Sequence, residues 1–311
     1  MTIAAHPALF PCALALLTLT GCGASPPRSV FPDAGAALGR MRATYACANG
    51  VQGEAKIDHF SPKGRVRGDL LLMAVVPDRV RFEVVSFGTT LYALTSDGDR
   101  FQMLDVKEKQ FLYGPATACN LARLTQVPVP GHALVALLRG EAPVLVHQPG
   151  DASIAWDRGG FYRIAIQSTR EATEEIHLEL RPGDDDKPWA EQRVRVTDVV
   201  VRQRGVDLYH ADLRNFEVAH TAPPRVDAEG LDPDVPPSGP ACDAELPRSI
   251  RMRVPNTEED VVFQYKEAKW NPPIIPRAFE QTPPGGVRTG YVSCGKDAGK
   301  DPGSEPGKDA K

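Results

Sequence analysis

The residue types that most often carry chemistry are scattered along this chain and form no known catalytic motif. The seven histidines occur singly, and His177 and His210 each lie in an alternating stretch that predicts the wet face of a strand. The sequence contains no nucleophile elbow, phosphate-binding loop or His-Glu-x-x-His zinc motif. We therefore expect no catalytic residue, no metal site and no cofactor.

One acidic run, Asp184-Asp185-Asp186, follows Gly183 and is similar to a fragment of a calcium-binding loop. It lacks the alternating ligand positions and the closing glutamate of an EF-hand. The sequence therefore predicts a solvated hairpin tip at this position.

Cysteine usage indicates an oxidising compartment. Of six cysteines, four lie in the body of the chain, and none belongs to the close Cys-x-x-Cys pair that a metal site favours. Four such cysteines favour two structural disulfides over free thiols, and three pairings are possible. The candidates are Cys47, Cys119, Cys242 and Cys294. Our working hypothesis pairs Cys47 with Cys119 and Cys242 with Cys294.

The N-terminus has the features of an export signal. Residues 8–19 form an apolar run that is too short for a permanent membrane span but typical of a signal peptide. The run ends in Leu19-Thr20-Gly21-Cys22, which resembles a bacterial lipobox, where the cysteine is diacylated after the leader is removed. The segment before the run departs from the pattern because it has no lysine or arginine. The alternative is an ordinary secretory leader with Cys22 as a plain thiol.

Composition excludes several classes of protein. Apolar residues make up 42% and charged residues 24% of the chain, which is enough for a core and excludes wholesale disorder. The net charge of −4 argues against a nucleic-acid partner. With 7% aromatic residues and 29 prolines, many strands joined by turns are more plausible than long helices.

The elements that position these residues are mainly strands. From Val51 onward, apolar and polar residues alternate in successive segments without intervening helices, which predicts an antiparallel sheet with one wet face. Asp33 predicts the N-cap of a helix before the first strand. A second helix is predicted over residues 130–139, where Gly140 ends it.

The chain divides into four parts. We assign a lipoprotein signal peptide to residues 1–21, a tether to 22–32, a β domain to 33–288 with an irregular proline-rich insert at 219–241, and a disordered low-complexity tail to 289–311. From Gly295 onward the tail carries a four-residue repeat of the GKDA type and has no apolar side chain larger than alanine or proline that could order it.

Two stretches carry a resemblance to a known family. They are "PDRVRFEVVSFGTTLYALTSDGDRFQMLDVKEKQFLYGPATACNLARLT", followed by "PGHALVALLRGEAPVL", and the later "LPRSIRMRVP" with its closing Phe/Pro segment. The order of strands, turns and leucine-rich helix resembles the LolB outer-membrane lipoprotein receptors and the related LolA periplasmic carriers. The insert, the charged tail and the four cysteines depart from that pattern.

The resemblance implies a mainly β fold, an unclosed antiparallel half-barrel of about 11 strands. An N-terminal helix and a short helical lid would cover its concave face. The cavity beneath would bind acyl chains, and the residues that we assign to this groove are Val80, Phe82, Val84, Phe101, Met103, Leu134, Leu138, Ile164, Ile166, Leu178, Met252 and Phe263. Phe87 matches the position of the family's exposed membrane-insertion residue, and the alternative is a core aromatic at a hairpin end.

The resemblance also implies a function without catalysis. Acylated lipoproteins and a periplasmic carrier would be the partners, and lipid on Cys22 would be the membrane anchor. Gly23, the residue after the cysteine, matches the family pattern for sorting to the outer membrane on its periplasmic side. The competing interpretation is a structural or assembly lipoprotein that uses the same fold to bind an envelope partner. A lipid-modifying enzyme is the least favoured of the three.

Overall fold

A computed structural model describes residues 23–62 and 64–293, and the described part is dominated by strands. Fourteen strands are present in this part, which is three more than the sequence analysis expects. They are β1 (Gly50–Ser61), β2 (Gly64–Val75), β3 (Arg79–Ser86), β4 (Thr89–Ser96), β5 (Arg100–Asp105), β6 (Gln110–Pro115), β7 (Ala152–Asp157), β8 (Phe161–Gln167), β9 (Ala172–Leu180), β10 (Val194–Gln203), β11 (Val206–Val218), β12 (Glu245–Val254), β13 (Glu259–Trp270) and β14 (Arg288–Tyr291).

All fourteen strands belong to one sheet in the order β14-β6-β5-β4-β3-β2-β1-β13-β12-β11-β10-β9-β8-β7. Neighbouring strands are antiparallel, except that β14 runs parallel to β6. The end strands β14 and β7 do not pair with each other, so the sheet is an open half-barrel. The predicted fold class is confirmed.

Alternation along the strands divides the sheet into an inner and an outer face. In β8, for example, Tyr162, Ile164 and Ile166 are buried and the residues between them are exposed. The buried set from most strands joins one hydrophobic core, which therefore lies on the inner face.

Three α-helices cover this inner face: α1 (Ala34–Thr44), α2 (Ala118–Thr125) and α3 (Gly131–Leu138). The side chain of Asp33 accepts a hydrogen bond from the backbone N–H of Ala36 at 2.7 Å, which confirms it as the N-cap of α1. Helix α3 confirms the second predicted helix, whereas α2 is absent from the sequence prediction. No helix in the described ranges is long and apolar enough to cross a membrane.

The two ends of the sheet are built differently. The turns β1–β2, β3–β4 and β5–β6 lie side by side at one end, which we call the hairpin end. Following the register across the sheet places the β7–β8 turn at the opposite end, together with the proline-rich connection between β11 and β12. We call this opposite end the insert end.

The disulfide pairing in the working hypothesis is wrong. Cys47 bonds to Cys242, with a Cα–Cα distance of 5.2 Å, and so ties the end of α1 to the end of the insert. Cys119 is also disulfide-bonded, and Cys294 lies outside the described residues. Sequence separation gave no way to choose this pair, since it joins residues 195 positions apart.

The C-terminal segment crosses the outer face and then extends the sheet. Phe279 packs with Ala278 and Val75 in a small second core. Gln281 and Gln102 exchange two hydrogen bonds of 2.8 and 2.9 Å. Strand β14 then pairs with β6, so the ordered sheet includes residues 289–291, which the sequence analysis assigns to the tail.

Candidate functional site: the inner face and the hairpin rim

The twelve residues assigned to the acyl-chain groove come together on the inner face. Eleven of them belong to the main hydrophobic core, and Val84 is half-buried against it. They come from strands that are far apart in the sequence and from α3. The structure therefore places them side by side, and other side chains cover all of them except the half-buried Val84.

Helices α1 and α3 fill the space above these strands. Helix α1 buries Leu38 and Met41. Helix α3 buries five of its eight residues: Ala133, Leu134, Val135, Leu137 and Leu138. An apolar chain can reach the inner face only if side chains of this kind move aside.

The C-terminal end of α3 is held by polar groups in a dry environment. The Tyr265 hydroxyl donates to the Leu138 carbonyl at 3.1 Å, and the Arg139 guanidinium pairs with Glu141 at 2.6 Å. Burial lowers the pKa of Arg139 and raises the pKa of Glu141, because neither charge is fully solvated. Gly140 turns the chain here with φ of 86°, and a Cβ would lie 2.7 Å from Pro247.

The segment that follows α3 meets a buried acid. One carboxyl oxygen of Glu174 accepts a hydrogen bond from the backbone N–H of Leu145 at 2.7 Å. Its other oxygen has no partner within the described part of the chain. Burial raises the pKa of Glu174 to about 8, so the group carries a proton at neutral pH. Sequence reasoning missed it because Glu174 looks like any charged residue of an alternating strand.

Phe87 is fully exposed at the tip of the β3–β4 hairpin, which excludes the alternative of a core aromatic. Phe87 and Gly88 both have positive φ, 48° and 76°, as a two-residue type I′ turn requires. The left-handed conformation suits Asn or Gly and is strained for a bulky residue. Phe87 is thus apolar at a position that is open to solvent, and bulky at a position whose backbone conformation favours small residues.

Phe87 is one of four exposed apolar residues on the three neighbouring turns of the hairpin end. Phe60 and Val66 lie on the β1–β2 hairpin and Val106 follows β5. The Arg65 guanidinium carbon lies 4.3 Å from the centre of the Phe60 ring. We call Phe60, Val66, Phe87 and Val106 the hairpin rim. The sequence analysis found only Phe87, because the other three interrupt otherwise ordinary strand ends.

The most concentrated cluster of potential metal ligands lies on the outer face. Asp198, His210 and Asp212 bring their ligand atoms within 4.8 Å of one another. The Nε2 atom of His210 lies 2.7 Å from Asp198, and the Arg253 guanidinium lies 2.8 Å from His210 Nδ1 and 2.6 Å from Asp212. A guanidinium already provides the positive charge at this position. The cluster is therefore an ion network between strands.

Two further sequence predictions concern exposed polar residues. His177 and His210 do lie on the outer face, each half-buried against a carboxylate. Asp184, however, is not at a solvated tip. It is buried and accepts hydrogen bonds from the Arg193 backbone and guanidinium, which hold its pKa far below the usual value. It fixes the connection between β9 and β10.

Comparisons with known proteins find several solved structures that are similar to this chain. No protein-family model matches the chain and no curated protein matches it. A putative outer-membrane lipoprotein-sorting protein domain from Vibrio parahaemolyticus is similar over 78% of this chain and 95% of its own, with 9% identity and a TM-score of 0.44. A LolA superfamily protein from Nitrosomonas europaea is similar over 80% and 98%, with 11% identity and a TM-score of 0.45.

A third similar structure is a DUF1329 family protein from Desulfovibrio piger, which covers 79% of this chain and 96% of its own, with 9% identity and a TM-score of 0.46. At these identities the likeness concerns the fold alone. What this chain binds must be argued from its own residues.

Proposed function

We propose that this protein is a lipid-anchored envelope protein that binds the acyl chains of lipoproteins and takes part in their localisation or insertion. The observation that carries the proposal is the inner face, where one apolar surface is covered by short helices. Helix α3 is apolar almost all round. An acyl chain, which is apolar and of similar size, can therefore take its place on the inner face. The function needs no catalytic group.

The energies of such an exchange are comparable. Exposing the four large apolar side chains of α3 (Leu134, Val135, Leu137 and Leu138) costs roughly 6–12 kcal/mol at about 1.5–3 kcal/mol each. An acyl chain of about 14 methylenes gains roughly 11 kcal/mol on burial, at about 0.8 kcal/mol each. A closed, empty state and an open, loaded state are therefore close in free energy.

The hairpin rim supports a role at a membrane. Phe87 is exposed on a strained turn, and apolar side chains in that position are stabilised by entering the interface of a bilayer. In this proposal lipid on Cys22 anchors the protein at the periplasmic side of the outer membrane. A periplasmic carrier supplies the acylated lipoprotein, and Phe87 leads it into the bilayer. Cys22 itself lies outside the described residues.

The proposal is tested by transfer from a carrier. A soluble version with Cys22→Ser and without residues 1–21 is mixed with a carrier that holds an acylated lipoprotein, and the two are separated. We expect the lipoprotein to move to this protein, and Phe87→Glu to leave this acceptance intact while blocking delivery to vesicles. Arg251→Ala, which lies on the outer face, is the matched control. If no lipoprotein moves and no lipid co-purifies, acyl-chain binding is excluded.

One observation favours the alternative of an assembly lipoprotein that binds an envelope partner. A groove of about 680 Å³ lies on the outer face, between the proline-rich insert at residues 222–225 and the C-terminal segment at Pro273 and Ile275. Glu83→Arg with Glu267→Arg removes two of the three carboxylates of this groove and makes its mixed lining strongly positive. Under the alternative this variant loses the partner and keeps acyl-chain binding, whereas under the main proposal lipoprotein transfer is unchanged.

A further inference from the structure

The segment that the sequence analysis treats as a loose tether is docked on the domain. The backbone N–H of Ala24 donates to the Arg158 carbonyl at 2.9 Å. The indole N–H of Trp156 donates to the Ala24 carbonyl at 3.0 Å. Both partners belong to the β7–β8 hairpin, so the first described residues lie beside its turn. We call residues 23–32 the strap.

Contacts continue along the strap to the start of α1. The Ser29 hydroxyl accepts from the Trp189 backbone N–H and the Ser29 carbonyl from the Gln192 side chain, both at 2.9 Å. Phe31 is only 5% exposed, and its ring packs edge-on against Tyr162 with centroids 4.9 Å apart. Most of residues 23–30 are nevertheless exposed. The strap is therefore held by a few local contacts and by two buried side chains, Pro27 and Phe31.

Docking fixes the position of the first described residues, Gly23 and Ala24, on the domain. The β7–β8 turn lies at the insert end, whereas Phe87 and the hairpin rim lie at the hairpin end. The eight residues of β3 span about 26 Å at about 3.3 Å per residue. A membrane anchor directly before Gly23 thus holds the insert end at the bilayer and turns the rim away from it.

We propose that the strap is a switch between two orientations: docked, it keeps the hairpin rim away from the anchoring membrane, and released, it lets the rim reach the same membrane. The inference rests on the lipid anchor and the role of Phe87 proposed above. The ten residues of the strap extend to about 33–36 Å when released. This reach exceeds the length of the strand that separates the two ends.

A disulfide across the strap tests this inference. A Cβ built on Gly160 lies 3.5 Å from the Cβ of Ala24, within the range for a disulfide. Ala24→Cys with Gly160→Cys locks the strap in place, and each single substitution serves as an unlocked control. Benzoylphenylalanine replaces Phe87 in the full lipidated protein on phosphatidylethanolamine and phosphatidylglycerol vesicles. Photo-crosslinking to lipid is then measured.

We expect strong crosslinking in both single variants and at least a tenfold loss in the locked variant. Equal crosslinking in locked and unlocked proteins overturns the switch. Because Gly160 has φ of 94° and the lock can fail to form, Trp156→Phe provides a second test. It removes the indole donor to Ala24, so crosslinking should rise, and an unchanged yield also counts against the switch.

Acyl-chain uptake by the same proteins separates this inference from the proposed function. If the locked and unlocked proteins all take up an acylated peptide but crosslink equally, the switch fails and acyl binding stands. If none takes up the peptide, acyl binding fails whatever the crosslinking shows. Absence of crosslinking in every variant means that Phe87 does not contact this membrane, and the switch is overturned together with that role of Phe87.

Discussion

The inner and outer faces of the sheet are built from the same strands and have opposite chemistry. Along β12, Met252 is fully buried in the main core, while its neighbour Arg251 forms a surface ion pair with Asp260. The outer face repeats such pairs from strand to strand. The difference shows that the inner face is reserved for apolar contacts, with Glu174 as a buried exception.

Glu174 offers the largest test of this contrast, because it is an acid on the apolar face. In the unfolded chain its pKa is 4.5, and in the folded chain burial raises the pKa to about 8. The folded chain therefore binds more protons between these values, and stability falls as pH rises from about 4.5 to 8. Between pH 5 and 9 we expect the wild type to lose about 4 kcal/mol relative to Glu174→Gln. Urea unfolding at both pH values measures the free energy of unfolding of each protein. A change with pH that is the same for the two proteins would contradict the prediction.

The next test compares adjacent residues on opposite faces. Met252→Ala leaves a cavity in the core and should lower the free energy of unfolding by about 2–5 kcal/mol. Arg251→Ala removes only a surface pair and should change it by less than about 1 kcal/mol. Chemical denaturation of both variants provides the comparison. Similar losses of unfolding free energy in the two variants would mean that the outer ion pairs stabilise the fold as much as core packing does.

The disulfide tests whether the inner-face helices depend on the insert. Removing it with Cys47→Ser and Cys242→Ser frees the end of α1 from a loop of 195 residues. We expect a loss of about 2–4 kcal/mol, since the cross-link restricts the unfolded chain. Thermal unfolding of the double variant and of the wild type measures it. A stability equal to that of the wild type would exclude a structural role.

The smallest expected effect concerns the hairpin rim. Phe87→Asn places a residue that tolerates positive φ in a type I′ turn before Gly88, so stability should rise by about 1 kcal/mol. Binding to vesicles should fall at the same time, because the exposed ring is lost. Calorimetry and vesicle flotation measure the two effects. A gain in stability without loss of membrane binding would remove Phe87 from the membrane contact.

The sequence predicted the regular parts of the fold and missed the parts that depend on distant contacts. Alternation located the strands, and the N-cap at Asp33 located α1, because both signals are local. The pairing of Cys47 with Cys242 and the docking of the strap through Trp156 join residues that the fold alone brings together. Residues 289–291 of strand β14 lie in the predicted tail because the four residues of this strand, Arg288–Tyr291, show no apolar alternation.

The sequence likewise predicts some residues of the candidate site and misses others. The apolar groove residues share the inner face because each strand alternates around the same core. Helix α3 covers these residues through contacts between distant parts of the chain, and no local sequence pattern encodes such contacts. Glu174 was missed because its burial depends on the segment around Leu145. Phe87 was identified by position, and its exposure depends on the tight turn that it makes with Gly88.

In the proposed function, acyl chains reach the inner face by displacing α3. Hydrogen exchange of backbone amides in residues 131–138 tests it directly, with and without a diacylated peptide added to the soluble protein. We expect faster exchange in α3 and slower exchange in the inner strands when the peptide is bound. A peptide that binds without changing exchange in α3, or that does not bind at all, would contradict it.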